Sequence, residues 1–210
     1  RCVSLRRPEK GENIMIDTIA TRAVDQNEKV LTDLAKKIWE NPETAFNEVK
    51  ACEWTAEVLR NAGFEVETGY VGMPTAIRAV WGKGHPVIGF LGEYDALPGL
   101  SQKVSTEKEP VTPGAAGQGC GHNLLGVACL GAALGMKAEL EATRQRGYAI
   151  DDMEHEFGVK CVAMPIFDKT HKLYAAISVS GLAVHFTDRQ IQEWALLIKK
   201  YVAKIENRLS

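Results

Sequence analysis

Cys120 and His122 are the residues whose types and spacing best fit metal chemistry. They stand two positions apart in the stretch GQGCGHNLLG, residues 117–126. An extended backbone directs residues i and i+2 to the same side, and the neighbouring glycines let the chain approach an ion closely. A thiolate and an imidazole suit zinc or another divalent metal such as manganese. A buried thiol beside a helix-capping histidine is the alternative interpretation of the same pair.

Ser178 and Ser180 form a second candidate site. Strand alternation places them on one face, where their hydroxyls can donate hydrogen bonds to a carboxylate. Cys161 lies in the preceding predicted strand and can close the same pocket. Small residues on a sheet that faces a helix are also common packing choices, so this alternative remains open.

The composition argues against several classes of partner. The 210 residues carry 25 Lys and Arg against 27 Asp and Glu, a net charge of −2, which gives no electrostatic reason to expect nucleic acid or a membrane surface as a partner. No uninterrupted apolar stretch reaches the roughly 20 residues that span a bilayer. The five cysteines are odd in number and scattered, so a disulfide framework is not expected. We therefore expect a cytoplasmic protein.

The first two thirds of the chain must position Cys120 and His122. Apolar spacing of three and four predicts an amphipathic helix from Ile16 to about Asn41, and a second helix that stops at Gly63. Apolar and β-branched runs punctuated by Gly and Pro predict three strands, of which the last should be central. A Gly- and Pro-rich loop then leads to a buried helix. The strands are FEVETGY, TAIRAVWG and HPVIGFLGEYDALPG, the loop is 99–121, and the helix is NLLGVACLGAALGMKAELEA.

The last third has its own pattern of elements. GVKCVAMPIFD and KLYAAISVSG predict two strands joined by a turn, and Thr187 with Gln190 predicts a capping box at the start of the final helix. The expected fold class is α/β: helices on a mixed sheet, followed by a small α+β part of two strands and a helix. These two strands either pair with each other or extend the first sheet. The expected divisions are a disordered leader at 1–14, a first domain at 15–143 and a second at 144–210.

GFLGEYDALPG, the glycine-rich loop and GQGCGHNLLGVACLGAALGMKAELEAT together resemble the metal-dependent amidohydrolase and metallopeptidase family that includes aminoacylases and aminobenzoyl-glutamate hydrolase. The resemblance runs from about Met15 to Thr143. It implies a two-metal hydrolase that cleaves N-acyl or aminobenzoyl amino acids with a metal-bound water. Cys120 and His122 match metal ligands of that family, and Asp95 matches the acidic catalytic residue near the metals. A simple turn residue is the other interpretation of Asp95.

The family pattern is not continued beyond the buried helix. A further strand, a Glu-Glu pair that supplies the general base and a ligand, and distant histidines are expected there, and none is recognisable in the sequence. Because a catalytic zinc normally has three protein ligands, the resemblance implies an incomplete site with weak or no activity.

TRQRGYAIDDMEHEFGVKCVAMPIFDKTHKLYAAISVSG resembles the effector-binding domain of isocitrate-lyase-regulator (IclR) type transcription factors, over about Leu140 to Ser210. The resemblance implies a pocket for a short oxo-acid, lined by Asp151, Cys161, Ser178 and Ser180. The winged helix-turn-helix of such regulators is not recognisable, so nucleic-acid binding is not predicted for this chain.

Three hypotheses follow for the function. The first, which the longer resemblance favours, is a metal-dependent amidohydrolase with zinc or manganese and a small-molecule substrate. The second is a sensing module for an oxo-acid effector. The third is an inactive fusion of two gene fragments that meet near AELEATRQRGY. A homo-oligomer is compatible with each of them.

Overall fold

The structure, a computed structural model, describes residues 18–209. The chain divides into two compact units, Arg1–Glu139 and Leu140–Ser210, and each contains its own buried apolar cluster. The leader predicted at 1–14 lies outside the described residues.

The N-terminal unit is built mainly from helices. These are α1 (Ile19–Gln26), α2 (Glu28–Glu40), α3 (Val49–Asn61) and most of α4 (His122–Arg146), with the short strands β1 (Glu65–Thr68) and β2 (Ile77–Val80) between them. The apolar faces of three helices meet in one cluster, as their spacing predicts. Its buried members are Leu31, Leu34, Ala35 and Ile38 from α2, Ala51 and Leu59 from α3, and Val127, Leu130 and Leu134 from α4.

The first predicted helix is interrupted at Asn27. The Asn27 side chain donates to the carbonyl of Ala23 at 2.8 Å, and its backbone N–H donates to Val24 at 3.0 Å, so α1 ends there. Asn competes with the helical pattern because its side chain hydrogen-bonds readily to nearby backbone. The apolar period continues across the break, which is why spacing alone predicts one helix.

The prediction of a third, central strand at 85–99 is wrong. Residues 87–95 form no helix, turn or paired strand, and only isolated bridges follow, from Ala96 to Thr44 and from Leu97 to Gly117. The sheet of this unit consists of β1 and β2, paired antiparallel. Apolar alternation indicates an extended chain, whereas a strand also needs a neighbour with free backbone groups.

The C-terminal unit is an antiparallel sheet with one helix on it. Strands β3 (Ala149–Asp152), β4 (Val159–Phe167) and β5 (Leu173–Leu182) lie in that order, and α5 (Asp188–Glu206) packs against one face. The α/β class is therefore confirmed, and β4 and β5 pair with each other. The buried cluster comprises Val162, Met164, Ile166, Phe186, Ile191, Ala195, Ile198 and Val202.

Helix α4 is the one described helix that is long and apolar enough to cross a membrane by length and composition. About a third of its most apolar 18-residue window is buried, at 33%. The core helices of soluble proteins pass the same test, so this is weak evidence for a membrane span.

The capping box predicted at α5 is confirmed, and it yields a stability prediction. The Thr187 side chain accepts from the Gln190 N–H, and the Gln190 side chain accepts from the Thr187 N–H. Thr187→Ala should lower the free energy of unfolding by about 1 kcal/mol, measured by urea unfolding followed by circular dichroism. Thr187→Ser, which keeps the acceptor, is the matched control. Equal stability of the two variants would contradict the capping role.

Candidate functional sites

His122 lies between two carboxylates at the start of α4. Its Nδ1 is 2.7 Å from Asp95 Oδ1, and its Nε2 is 3.2 Å from Glu93 Oε2. The imidazole and Asp95 are largely buried, whereas Glu93 is 59% exposed. The structure thus brings the predicted Asp95 and His122 together and adds Glu93, which was not predicted. Alternation could have revealed it, because Glu93 stands two positions before Asp95 and residues i and i+2 of an extended chain share one side.

Tyr94, which stands between Glu93 and Asp95, anchors this acidic segment on the side away from His122. Its hydroxyl donates to the Thr75 carbonyl, and the Thr75 hydroxyl donates to the buried Glu48 carboxylate at 2.6 Å. Burial raises the pKa of the Tyr94 hydroxyl well above its usual value, and burial also raises the pKa of the neighbouring Cys52 thiol. Both groups are therefore neutral at pH 7. Because neighbouring residues alternate in direction, this inward anchor leaves Glu93 and Asp95 free to turn towards His122.

Gln118 connects the same segment to the start of α4. Its side-chain amide donates to the Tyr94 carbonyl at 3.3 Å and accepts from the Asn123 N–H at 3.2 Å. Asn123 is itself buried and donates to the Ala35 carbonyl of α2. These contacts fix the helix start that carries His122.

Cys120, the other predicted metal ligand, is exposed in the turn that precedes α4. His122 Nε2 and Glu93 Oε2 have roughly the spacing of two ligands on one zinc, since two bonds of 2.0–2.1 Å at a tetrahedral angle place the donor atoms about 3.3 Å apart. Among residues 18–209, however, no group of three or more His, Cys, Asp or Glu side chains could hold a metal ion. The part of the chain that is described therefore supplies a pair of donors and does not fit a catalytic metal, which needs three.

The second predicted site lies on the sheet of the C-terminal unit. Asp151, Cys161 and Ser180 occupy directly opposed positions on β3, β4 and β5, so they form one row across the sheet. The Cys161 thiol donates to the Ser180 hydroxyl at 3.0 Å. Ser178 lies two residues along β5, opposite Ala163. All four predicted residues therefore share the face opposite to α5, whose contacts are with Val162, Met164 and Ile166.

Asp151 also organises the turn that follows β3. Its Oδ1 accepts from the backbone N–H of Glu154 at 2.9 Å and of His155 at 3.3 Å. His155 is exposed and has no side-chain hydrogen bond among those described. The Asp151 carboxylate, at the end of the row, thus accepts hydrogen bonds from two backbone N–H groups.

The two units resemble two different classes of protein, metal-dependent amidohydrolases for the N-terminal unit and the effector-binding part of IclR-type regulators for the C-terminal unit. Comparison with known proteins confirms both resemblances. Residues 130–207 match the family model described as bacterial transcriptional regulator IclR C-terminal.

Individual relatives divide along the same line. The chain is 46% identical over 126 residues to one of the subunits of p-aminobenzoyl-glutamate hydrolase of Escherichia coli (strain K12), a match that covers 60% of this chain and 26% of that protein. It is 39% identical over 70 residues to the transcriptional repressor IclR of the same organism, covering 33% of this chain and 26% of that protein. The chain thus spans about a quarter of the length of each of these relatives.

A solved structure, that of Thermotoga maritima IclR, matches with 42% identity and a TM-score of 0.34, covering 35% of this chain and 30% of that chain.

Gly126 provides a test of how Glu93 is positioned. A Cβ at Gly126 would lie 2.7 Å from the Glu93 carbonyl oxygen, whereas a Cβ at Gly131 of the same helix would make ordinary contact with the Leu31 side chain. Gly126→Ala should therefore lower the free energy of unfolding by about 1–3 kcal/mol and shift the imidazole NMR signals of His122. Gly131→Ala should raise stability by up to about 1 kcal/mol and leave those signals unchanged. The same response from both variants would contradict a close approach of the acidic segment to α4.

Proposed function

We propose that the C-terminal unit binds a small carboxylate-bearing molecule of the short oxo-acid class. The observation that carries this proposal is the row of Asp151, Cys161 and Ser180 across three paired strands, with Ser178 beside it. The family-model match over 130–207 supports it, because that model describes the C-terminal part of regulators.

The hydrogen bonds within the row leave serine hydroxyl donors available to an anion. Ser180 accepts the hydrogen of the Cys161 thiol, so its own hydroxyl hydrogen remains available to a ligand carboxylate. Ser178 offers a second hydroxyl on the same face. Ala163, which opposes Ser178, is small and leaves room above the sheet. The Asp151 carboxylate, already hydrogen-bonded to two backbone N–H groups, lies at the far end of the row from Ser180.

Calorimetry with glyoxylate and pyruvate tests this function. Because each serine contributes one hydrogen bond to a charged group, Ser178→Ala and Ser180→Ala should each weaken binding by about tenfold or more. Ser105→Ala, in a loop of the N-terminal unit, is the matched control and should bind as the wild type does. Absence of heat with the wild-type chain, or equal binding by all the variants, would refute the proposal.

A second candidate function is hydrolysis of an amide bond of N-acyl or aminobenzoyl amino acids by the N-terminal unit. The contact between Asp95 and His122 favours it, and so does the 46% identity to a protein named as a hydrolase of p-aminobenzoyl-glutamate. Such amidohydrolases suggest a divalent metal, zinc or manganese. The described residues do not assemble its ligands, so we derive no catalytic step through it. For either function we propose a cytoplasmic location.

Metal content and turnover decide this second candidate. Plasma emission analysis of the purified chain, together with p-aminobenzoyl-glutamate hydrolysis, should be compared between the wild type and Cys120→Ala. If the site is functional, the wild type should hold stoichiometric metal, and Cys120→Ala should lose both metal and turnover. Cys161→Ala, which lies in the other unit, is the control. Wild-type protein with neither metal nor turnover would reject hydrolysis, and if it also bound no oxo-acid the inactive fusion would remain.

A further inference from the structure

Asp151, Cys161 and Ser180 offer a ligand three different chemical groups, which follow one another along the row. The Cys161 sulfur lies in the middle, 3.0 Å from the Ser180 oxygen. Asp151 is directly opposed to Cys161 on the other neighbouring strand. A nucleophilic sulfur therefore lies between a hydroxyl donor on one side and a carboxylate acceptor on the other.

The Asp151 carboxylate needs an explanation in a site for an anion, because like charges repel. Both of its hydrogen bonds within residues 18–209 go to Oδ1, so Oδ2 remains available as an acceptor. An acceptor at this place favours a ligand group that donates a hydrogen bond. The carbonyl oxygen of an unreacted oxo-acid cannot donate, whereas a hydroxyl group on the same carbon can.

The carbonyl carbon of a bound oxo-acid comes close to the Cys161 sulfur. A carboxylate that accepts from Ser180 places its oxygen about 2.7 Å from the serine oxygen, and the carbonyl carbon of a 2-oxo acid is two bonds further along. Since the sulfur is itself 3.0 Å from the serine oxygen, a ligand lying along the row brings carbon and sulfur to about the 3–3.5 Å of a near-attack geometry. Ser178, beside the row, can bind the second carboxylate oxygen.

We propose that Cys161 adds reversibly to the carbonyl carbon of an oxo-acid that is an aldehyde, of which glyoxylate is the smallest. This inference rests on the proposed binding of an oxo-acid at the same residues. The sulfur–hydrogen bond breaks and a sulfur–carbon bond forms, while the carbonyl double bond becomes a single bond and its oxygen takes the thiol proton. The product is a hemithioacetal, which forms without an oxidant or a reductant. Its new hydroxyl group donates to Asp151 Oδ2.

This addition selects aldehydes over ketones. The carbonyl carbon of a ketone such as pyruvate carries a carbon substituent in place of a hydrogen atom, which crowds the incoming sulfur and makes the carbon less electrophilic. Pyruvate therefore binds through the serine hydroxyls alone, and its carbonyl oxygen faces the Asp151 carboxylate without a hydrogen atom between them. Glyoxylate, whose hydrate first loses water to give the aldehyde, gains both the covalent bond and the hydrogen bond.

Carbon NMR tests the covalent bond. Glyoxylate labelled at its aldehyde carbon should give a new signal with the wild-type chain, at the shift of a tetrahedral carbon bonded to sulfur. Cys161→Ser, which keeps a hydrogen-bond donor in the row but replaces the sulfur, should lose this signal. Cys129→Ser is the matched control, since the Cys129 thiol is also half-buried and hydrogen-bonded, to the Leu91 carbonyl at 3.1 Å, and it should keep the signal.

The outcomes separate this inference from the proposed function. A signal that persists in Cys161→Ser, or wild-type protein that binds glyoxylate by calorimetry without the signal, would overturn the adduct and leave oxo-acid binding in place. Wild-type protein that binds neither glyoxylate nor pyruvate would refute the proposed function, and the adduct with it.

Asp151→Asn tests the acceptor. The amide keeps an oxygen for the two backbone N–H groups and places a donor where Oδ2 was. The ratio of glyoxylate affinity to pyruvate affinity, measured by calorimetry, should fall about three- to tenfold, because the adduct hydroxyl loses its acceptor. Asp152→Asn changes the net charge equally on the other face of β3, where Asp152 pairs with Lys160 at 2.7 Å, and should leave the ratio unchanged. The same ratio in both variants would overturn the proposed position of the adduct along the row.

Discussion

Backbone N–H and C=O groups of an extended segment need partners, and this requirement governs how firmly each candidate site is held. In the C-terminal unit β4 is paired on both sides, so its side chains have fixed neighbours. Among the described residues 18–209, no strand of the N-terminal unit pairs with the segment that ends in Glu93 and Asp95. Side-chain contacts must therefore hold this segment in position, as strand pairing would do in a sheet.

Those contacts explain the arrangement around His122. Tyr94 is bound on the buried side through Thr75, and Gln118 holds its carbonyl from the start of α4. With the middle residue fixed, its two acidic neighbours turn to the imidazole. The imidazole of His122 thus has a carboxylate partner on each ring nitrogen, and these two contacts fix its orientation. They do not by themselves supply the third ligand that a catalytic metal needs.

Local signals predicted more of this structure than long-range ones. The Thr187 and Gln190 capping box, the stop at Gly63 and the amphipathic faces depend on residues a few positions apart, and the structure contains them. Pairing of the segment at 85–99 depends on a partner that the sequence pattern does not identify. Strand β3 was missed because AIDD is short and half acidic; it is a strand because β4 offers it an edge.

The same distinction applies to the candidate sites. The row of Asp151, Cys161 and Ser180 could be anticipated in part from alternation along β5, but its completion depends on the register between three strands. Glu93 was not predicted because its segment was assigned to a central strand and Asp95 alone was considered there. A search for every acidic residue at i±2 from a candidate would have found it.

Helix α4 explains how two such different patterns can follow one another in one chain. The match to the regulator model begins at residue 130, inside α4, while the division between the compact units falls after Glu139. The stretch MKAELEATRQR consists almost entirely of strong helix formers. Because helix propagation adds one hydrogen bond per residue and needs only local propensity, a helix can continue from one pattern into the other without a turn or a strand pairing at the junction. The separate buried clusters then make the packing of each unit depend mainly on its own residues.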